Sequence, residues 1–318
     1  MAFKRSNIGW TINTFNPWVG CDKIAPECLH CYIDREIRKH TDWGKGNRSF
    51  RKPWGEIYLT KTWDNPYLFE EELINTDYAK RVFTCSLSDF FHAKVDKMTI
   101  PWNAKPMHTR VATLVNPDSI YEAKLRDCAW RIIKDTPHLV YQILTKRPER
   151  IVDHLPKDWG EGYPNVWLGT SVGCNLTLSK IDSLRKVPVH PEAVRFVSAE
   201  PLLEDISEEI NLDGIGWLIV GGESGSNPEY LYDAAADWRK DLNSGKPGRR
   251  TMDISWARNL QRLAYRHDVR FYFKQVTSGR SGVGEDALGK EDTHEYPNPP
   301  KGMVWMPEPK QDLVIIGQ

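Results

Sequence analysis

The sequence carries no excess of either charge. Across 318 residues 43 lysines and arginines face 43 aspartates and glutamates, so the electrostatic footprint of a dedicated nucleic-acid coat is missing and any phosphate-binding patch must be local. No apolar run is long enough for a membrane span, which argues against a membrane partner. The opening residues, MAFKRSNIGW, hold no apolar core of the secretory kind, and a cytoplasmic chain with reduced thiols is expected. There is no internal repeat and no low-complexity block, so no repeat architecture is expected. Cysteine is scarce as well: six in all, of which Cys21, Cys28 and Cys31 stand within eleven positions, while Cys85, Cys128 and Cys174 lie far off and singly.

What is there is a recurring short apolar run that ends in polar residues. EIYLTKTWD begins at Glu56, RVFTCSLSDFFH at Arg81, HLVYQILTKRPER at His138, NVWLGTSVG at Asn165, AVRFVSAEPLL at Ala193, GWLIVGGESG at Gly216 and VRFYFKQV at Val269. Cores of four to six residues rich in Val, Ile, Phe and Tyr have the composition of strands buried on both faces of a parallel sheet. Between them YEAKLRDCAWRIIKDT, NLTLSKIDSLRKV and SWARNLQRLAYRHD space their apolar residues as one face of a helix. The alternation predicts an α/β fold, a partial or full (β/α) barrel or an open doubly wound sheet, over residues 1–275. Residues 94–120 read as an insertion and 276–318 as an irregular Gly/Pro-rich C-terminal extension. The polar stretch 236–253, ending SGKPGRRTMD, reads as a surface loop. Most of the thirteen tryptophans are expected to pack.

Ligands bind at the carboxyl edge of such sheets. That edge would present Ser86, Ser88 and Asp89, then Thr145, Lys146 and Arg147, then Thr170 and Ser171, then Ser198 and Glu200, then Glu223, then Lys274 and Gln275. Strands also simply stop where polar residues begin, and Ser88 or Asp89 would serve equally as a helix cap. His92 and His138 read as hydrogen-bonded scaffolding. VGGESG lacks the lysine of a P-loop.

The cysteine spacing is C-x6-C-x2-C. A structural zinc normally closes with four ligands, and His30, Cys85 or Cys174 would have to complete the set. A cubane cluster instead accepts three cysteines and leaves one iron free for an exchangeable ligand. Spacing alone leaves both open.

With SLSDFFH, LTKRPER, VWLGTSV, SAEPLL, IVGGESG and FYFKQV, the string NPWVGCDKIAPECLHCY resembles a phage-associated family of three-cysteine-motif proteins of unknown function, regarded as radical S-adenosylmethionine (SAM)-like, from about Asn16 to Gln275. The first cysteine gap is longer than the C-x3-C-x2-C of radical SAM enzymes at large. The resemblance implies that Cys21, Cys28 and Cys31 bind a [4Fe-4S] cluster in an N-terminal loop, that SAM chelates the free iron, and that a reductant protein supplies the electron. It implies Tyr32 beside the adenine and Ser86, Ser88 and Asp89 toward SAM's amino group. Thr170 and Ser171 would face the ribose or methionine carboxylate, and Lys146 and Arg147 a carboxylate or phosphate. Glu200 and Glu223 would face ribose or substrate, and Lys274 would close the ring. The expected activity is reductive SAM cleavage and hydrogen abstraction from a substrate such as a nucleotide or nucleic acid. The competing expectations are a non-catalytic module, stabilised by zinc or a cluster, for a partner protein or nucleic acid, and a SAM-free iron-sulfur redox protein.

Overall fold

Segments apolar on both faces can be satisfied only between two layers, and the structure supplies them. The computed structural model describes residues 6–33, 56–100, 123–224, 229–230, 249–278, 282–289 and 293–307. The strands are β1 Asn13–Phe15, β2 Trp18–Val19, β3 Tyr58–Leu59, β4 Tyr78–Thr84, β5 Leu139–Thr145, β6 Val166–Ser171, β7 Arg195–Ala199, β8 Trp217–Gly221, β9 Glu229–Tyr230, β10 Arg249–Arg250, β11 Arg270–Gln275 and β12 Val304–Trp305. The main sheet is parallel, in the order β1-β4-β5-β6-β7-β8-β11 with β12 beside β4. β1 and β11 do not pair, so the curled sheet is a partial barrel. EIYLTKTWD is a correction: it gives only β3, which pairs antiparallel with β2 outside the main sheet.

The four α-helices among the described residues are α1 Pro66–Glu71, α2 Leu125–Asp135, α3 Ser179–Arg185 and α4 Ile254–Arg266. α2 buries Leu125, Ala129, Ile132 and Ile133, and α4 buries Ala257, Leu260, Leu263 and Ala264, each along one stripe. Asp253 caps α4 by accepting from Ser255 N at 2.8 Å. These stripes join the convex face of the sheet in one aliphatic-rich core that includes Val82, Ile143, Leu168, Val197, Leu218 and Phe273. No described α-helix lies between β5 and β6 or between β7 and β8. No helix among the described residues is long and apolar enough to cross a membrane.

The concave face is different. Alternation turns Phe83, Val140, Trp167, Phe196, Trp217 and Tyr272 inward, where they cluster with Trp10. Gly169 leaves the space that the Phe196 ring fills, since a Cβ there would come within 2.5 Å of that ring. Both ends of the described chain close this face. Trp10 lies 4.4 Å from Phe83 and 6.0 Å from Trp217 between ring centroids, and Gln142 Nε2 donates to its carbonyl at 3.3 Å. Within the extension after Gln275, Phe273 N donates to Thr293 O at 2.7 Å, β12 pairs with β4, and the Arg81 guanidinium sits 3.7 Å over the Tyr296 ring. The expected insertion at 94–120 falls largely outside the described residues; its described start holds the 3-10 turn Ala93–Lys97.

Candidate functional site

Above the aromatic floor, at the carboxyl ends of the strands, opens a cavity of about 1060 Å³. The inward column of each strand ends in it: Cys85 after β4, Lys146 after β5, Ser171 on β6, Ser198 and Glu200 on β7 and beyond, Glu223 after β8 and Lys274 on β11. Period-two alternation therefore brings one column from each strand to the cavity, and Thr145, Arg147, Ser86 and Ser88 reach it as well where the strands end.

The cysteine loop roofs one side. Cys21, Cys28 and Cys31 all line the cavity, together with Tyr32. Gly20 starts the loop with φ +111°, where a Cβ would meet Glu56 O at 1.9 Å, so no other residue fits. From there the loop is fastened to four strand ends. Ser88 Oγ, after β4, donates to Gly20 O at 2.6 Å. Arg147, after β5, donates to Cys21 Sγ at 3.8 Å and to Asp22 O at 3.4 Å. Beyond β6, Gly173 N and Thr177 Oγ1 donate to Glu27 Oε1 at 2.7 and 2.5 Å. After β8, Glu223 Oε2 meets His30 Nδ1 at 3.0 Å. Arg250 pairs with the same carboxylate, Nη2 to Oε1 at 2.5 Å, and donates through Nη1 to Pro26 O at 2.7 Å. Lys23 Nζ closes the loop on itself at Leu29 O, 2.7 Å away.

Several expected site residues therefore already have protein partners. Asp89 is buried and accepts from Thr145 Oγ1, Phe91 N, Lys146 N and Arg147 Nη1 at 2.7 to 3.0 Å. Ser86 exchanges hydrogen bonds with Asn16, and its carbonyl accepts Tyr32 Oη at 2.5 Å. Lys146 Nζ reaches Ser171 Oγ at 3.2 Å, and Lys274 pairs with Glu200. Thr170 and Gln275 lie off the cavity: Thr170 Oγ1 donates to Thr145 O at 3.0 Å and Gln275 Nε2 to Gly222 O at 2.8 Å. His92 meets Asp22 and His138 meets Glu70, as scaffolding would. The surface loop expected at 236–253 needs correction at its end, because Arg250 is fully buried against Glu223; residues 236–248 lie outside the described residues. Glu27, His30 and Arg250 were missed as loop fasteners. The signal in reach was Glu27, a charge between the cysteines of the triplet with no surface pattern to explain it.

The electrostatics follow from this packing. Burial, then the neighbouring Asp89 charge, pushes the Cys21 thiol up to about 12, and burial with Cys28 pushes Cys31 up to about 11. Burial opposes the Lys146 charge, but Cys28, Glu27 and the other two thiols outweigh it and raise its pKa. Burial likewise opposes the Asp89 charge, and Arg147 with three hydrogen bonds overrides it, so the pKa of the carboxyl falls below its ordinary value. For Glu223 the His30 and Arg250 contacts overcome burial and bring it to about 2.

Among the described residues no group of three or more His, Cys, Asp or Glu is arranged to hold one metal ion. A cubane makes a different demand, because each thiolate binds a different iron and the three sulfurs need not meet at a point. Three thiols around one cavity, with the Arg147 and Lys146 cations partly offsetting the burial that holds Cys21 and Cys31 protonated, fit that donor set. Cys85 lines the same cavity, whereas Cys174 is buried apart beside Thr177.

The comparisons with known proteins give a family and a distant likeness. A family described as "Protein of unknown function (DUF5131)" matches residues 5–115 and 117–245, and the chain belongs to it. None of the curated proteins matches the sequence. Among solved structures, a spore photoproduct lyase mutant with bound AdoMet and dinucleoside spore photoproduct is 10% identical, with a TM-score of 0.45 over 88% of this chain and 79% of that one. Spore photoproduct lyase complexed with dinucleoside spore photoproduct gives the same identity, coverage and TM-score.

Proposed function

We propose that this chain is a radical SAM enzyme whose Cys21, Cys28 and Cys31 hold a [4Fe-4S] cluster over the carboxyl edge of the sheet. The observation that carries the reading is the convergence of these three thiols on one cavity, facing Lys146 and Arg147, from a loop bolted to four strand ends. With SAM on the iron that the cysteines leave open, the group would supply one-electron cleavage of the sulfonium and hydrogen abstraction from a substrate in the same cavity. The chain's own residues position and shield. Arg147 holds Cys21 and is itself held by Asp89, so that first sulfur is fixed by a buried pair that cannot swing without losing its partner. Glu27 and Arg250 fasten the loop just before Cys28, and Glu223 holds the His30 side chain just after it. Tyr32, tied to the carbonyl of Ser86, walls the cavity on the β4 side, where an adenine would find an aromatic face. Among the described residues Lys146 and Ser171 meet no acidic partner in hydrogen-bond range, and they suit a carboxylate such as that of SAM's methionine. Glu200 and Lys274 form the far wall, toward ribose or substrate.

The test is reconstitution of the full chain without oxygen. Iron and sulfide near four per chain are expected, together with SAM cleavage under reductant. Cys21→Ala, Cys28→Ala and Cys31→Ala should each lose the iron, and Cys85→Ala should keep it. Stable zinc without a cluster, or equal iron loss in Cys85→Ala, would defeat the reading, the latter because four thiolates would close the site.

A further inference from the structure

The helix packed outside β8 and β11 carries charge that the fold does not use. α4 buries Ala257, Leu260, Leu263 and Ala264, and its opposite side exposes Ser255, Arg258, Arg262, Tyr265 and Arg266. Three arginines therefore stand in one row, four residues and about 6 Å apart along the helix axis. The other helices treat arginine differently. Every arginine on α2 and α3 meets a carboxylate: Arg126 reaches Asp96 at 2.7 Å, Arg131 reaches Asp135 at 2.9 Å and Arg185 reaches Asp182 at 2.6 Å. Among the described residues no carboxylate pairs with Arg258, Arg262 or Arg266. The acids that come near are taken. Asp205 accepts from Asn259 Nδ2 at 2.8 Å and Asp253 caps the helix, while past its end Asp213 meets His267 at 3.9 Å and Glu295 meets Arg270 at 3.6 Å.

Such a row needs a reason, because like charges four residues apart on a helix repel. Arg266 has one in the last turn, where the helix dipole favours a cation, but Arg258 and Arg262 lie too far from that end. The chemistry of the face narrows what would cover it. A membrane surface would take apolar side chains, and of the exposed α4 residues only Tyr265 is large and apolar. Guanidinium groups at even spacing on a rigid helix suit an anion that repeats at even spacing, and each can grip two oxygens of one phosphate through paired N–H groups. A duplex offers one phosphate per about 3.4 Å of axis on each strand, so a row about 12 Å long runs beside roughly three of them. With 43 basic residues balanced by 43 acidic ones, a polyanion would need a local patch of this kind.

We propose that the outer face of α4 is a sequence-independent binding surface for the phosphate backbone of duplex nucleic acid, with Arg258, Arg262 and Arg266 each taking a phosphate. The row begins about one turn after Asp253, close to the cavity edge where Arg250 is buried, and runs toward the opposite edge of the sheet, where β11 starts. A duplex on it is held outside the cavity, by its backbone and not by its bases. The inference stands apart from the cluster reading, since the row needs neither iron nor SAM.

The experiment is fluorescence anisotropy of a labelled, mixed-sequence DNA duplex titrated with the full chain across roughly 50–200 mM salt. The duplex should bind, with a dissociation constant of about 1–100 μM at physiological salt. Arg258→Gln, Arg262→Gln and Arg266→Gln combined should weaken it at least about tenfold at the lowest salt and flatten the slope of log affinity against log salt by close to three units, about 0.9 for each phosphate contact. Glutamine forms helix about as well as arginine, so circular dichroism and the unfolding midpoint should stay at parental values. Lys61→Gln, Lys97→Gln and Lys157→Gln combined, which removes the same charge from exposed positions away from α4, should keep the parental slope. No duplex binding at the lowest salt overturns the proposal, as does a parental slope in the arginine variant or an equal flattening in the lysine variant. Polyglutamate or phosphatidylserine vesicles bound more tightly than the duplex, with the same dependence on the three arginines, would assign the face to an acidic protein or a membrane and overturn it as well.

Discussion

The rim and the floor of the cavity treat buried polar groups in opposite ways. At the rim, Asp89, Glu27 and Glu223 are each answered by the protein, through Arg147 and Thr145, through Gly173 and Thr177, and through Arg250 and His30. One layer lower, Ser198 and Trp10 are as deeply buried and have no described partner. The difference teaches that charge at a strand end is not the same as availability. The rim's charges hold the cysteine loop in place, and the uncharged groups beneath hold nothing among the described residues.

Substitutions at the two levels should therefore diverge. The largest effect is expected from Asp89→Asn, which leaves the Arg147 guanidinium buried against Cys21 without its counter-charge; a loss of about 3–5 kcal/mol in denaturant unfolding is expected. Arg250→Leu should follow at about 3 kcal/mol, because Glu223 then remains buried with His30 and the backbone N–H of residue 250 but without its guanidinium counter-charge. The same carboxylate sets an acid dependence. Its pKa falls from an ordinary 4.5 to about 2 on folding, so its contribution is full above pH 4.5 and is lost as pH falls toward 2. Unfolding free energy should decline by on the order of 2–3 kcal/mol over that window, and Glu223→Gln should remove that part of the slope. Lys274→Met, breaking a partly exposed pair, should cost about 0–1 kcal/mol. Ser198→Ala should change stability least, within about 0.5 kcal/mol, since its hydroxyl holds nothing in the fold. A large loss in Ser198→Ala with little in Asp89→Asn would erase the distinction between the levels.

Much of this architecture was legible in the residues, and unevenly so. Six of the seven apolar runs became strands of the main sheet, because burial on both faces leaves a composition that nothing else explains. EIYLTKTWD failed because β2 takes its two paired residues away from the main sheet. The three helix stripes were plain for the same periodic reason. The concave core was not legible, since Trp10, Tyr296 and Trp305 reach it from segments without periodicity and from opposite ends of the chain. At the site, strand-end position found Lys146, Ser171, Glu200, Glu223 and Lys274 on the cavity, but it also selected Thr170, which alternation turns to the other face. Arg250 was read as solvated because a polar loop precedes it, and only the fold brings it 224 residues back to the carbonyl of Pro26.

The central claim is an iron-sulfur centre held by three thiolates with one iron open. Electron paramagnetic resonance of the reduced, reconstituted full chain, recorded before and after SAM is added, tests it most directly. The account expects a [4Fe-4S] signal whose shape changes when SAM takes the open iron, and no such signal in Cys28→Ala. A cluster signal that SAM leaves unchanged, or one that survives in Cys28→Ala, would contradict it.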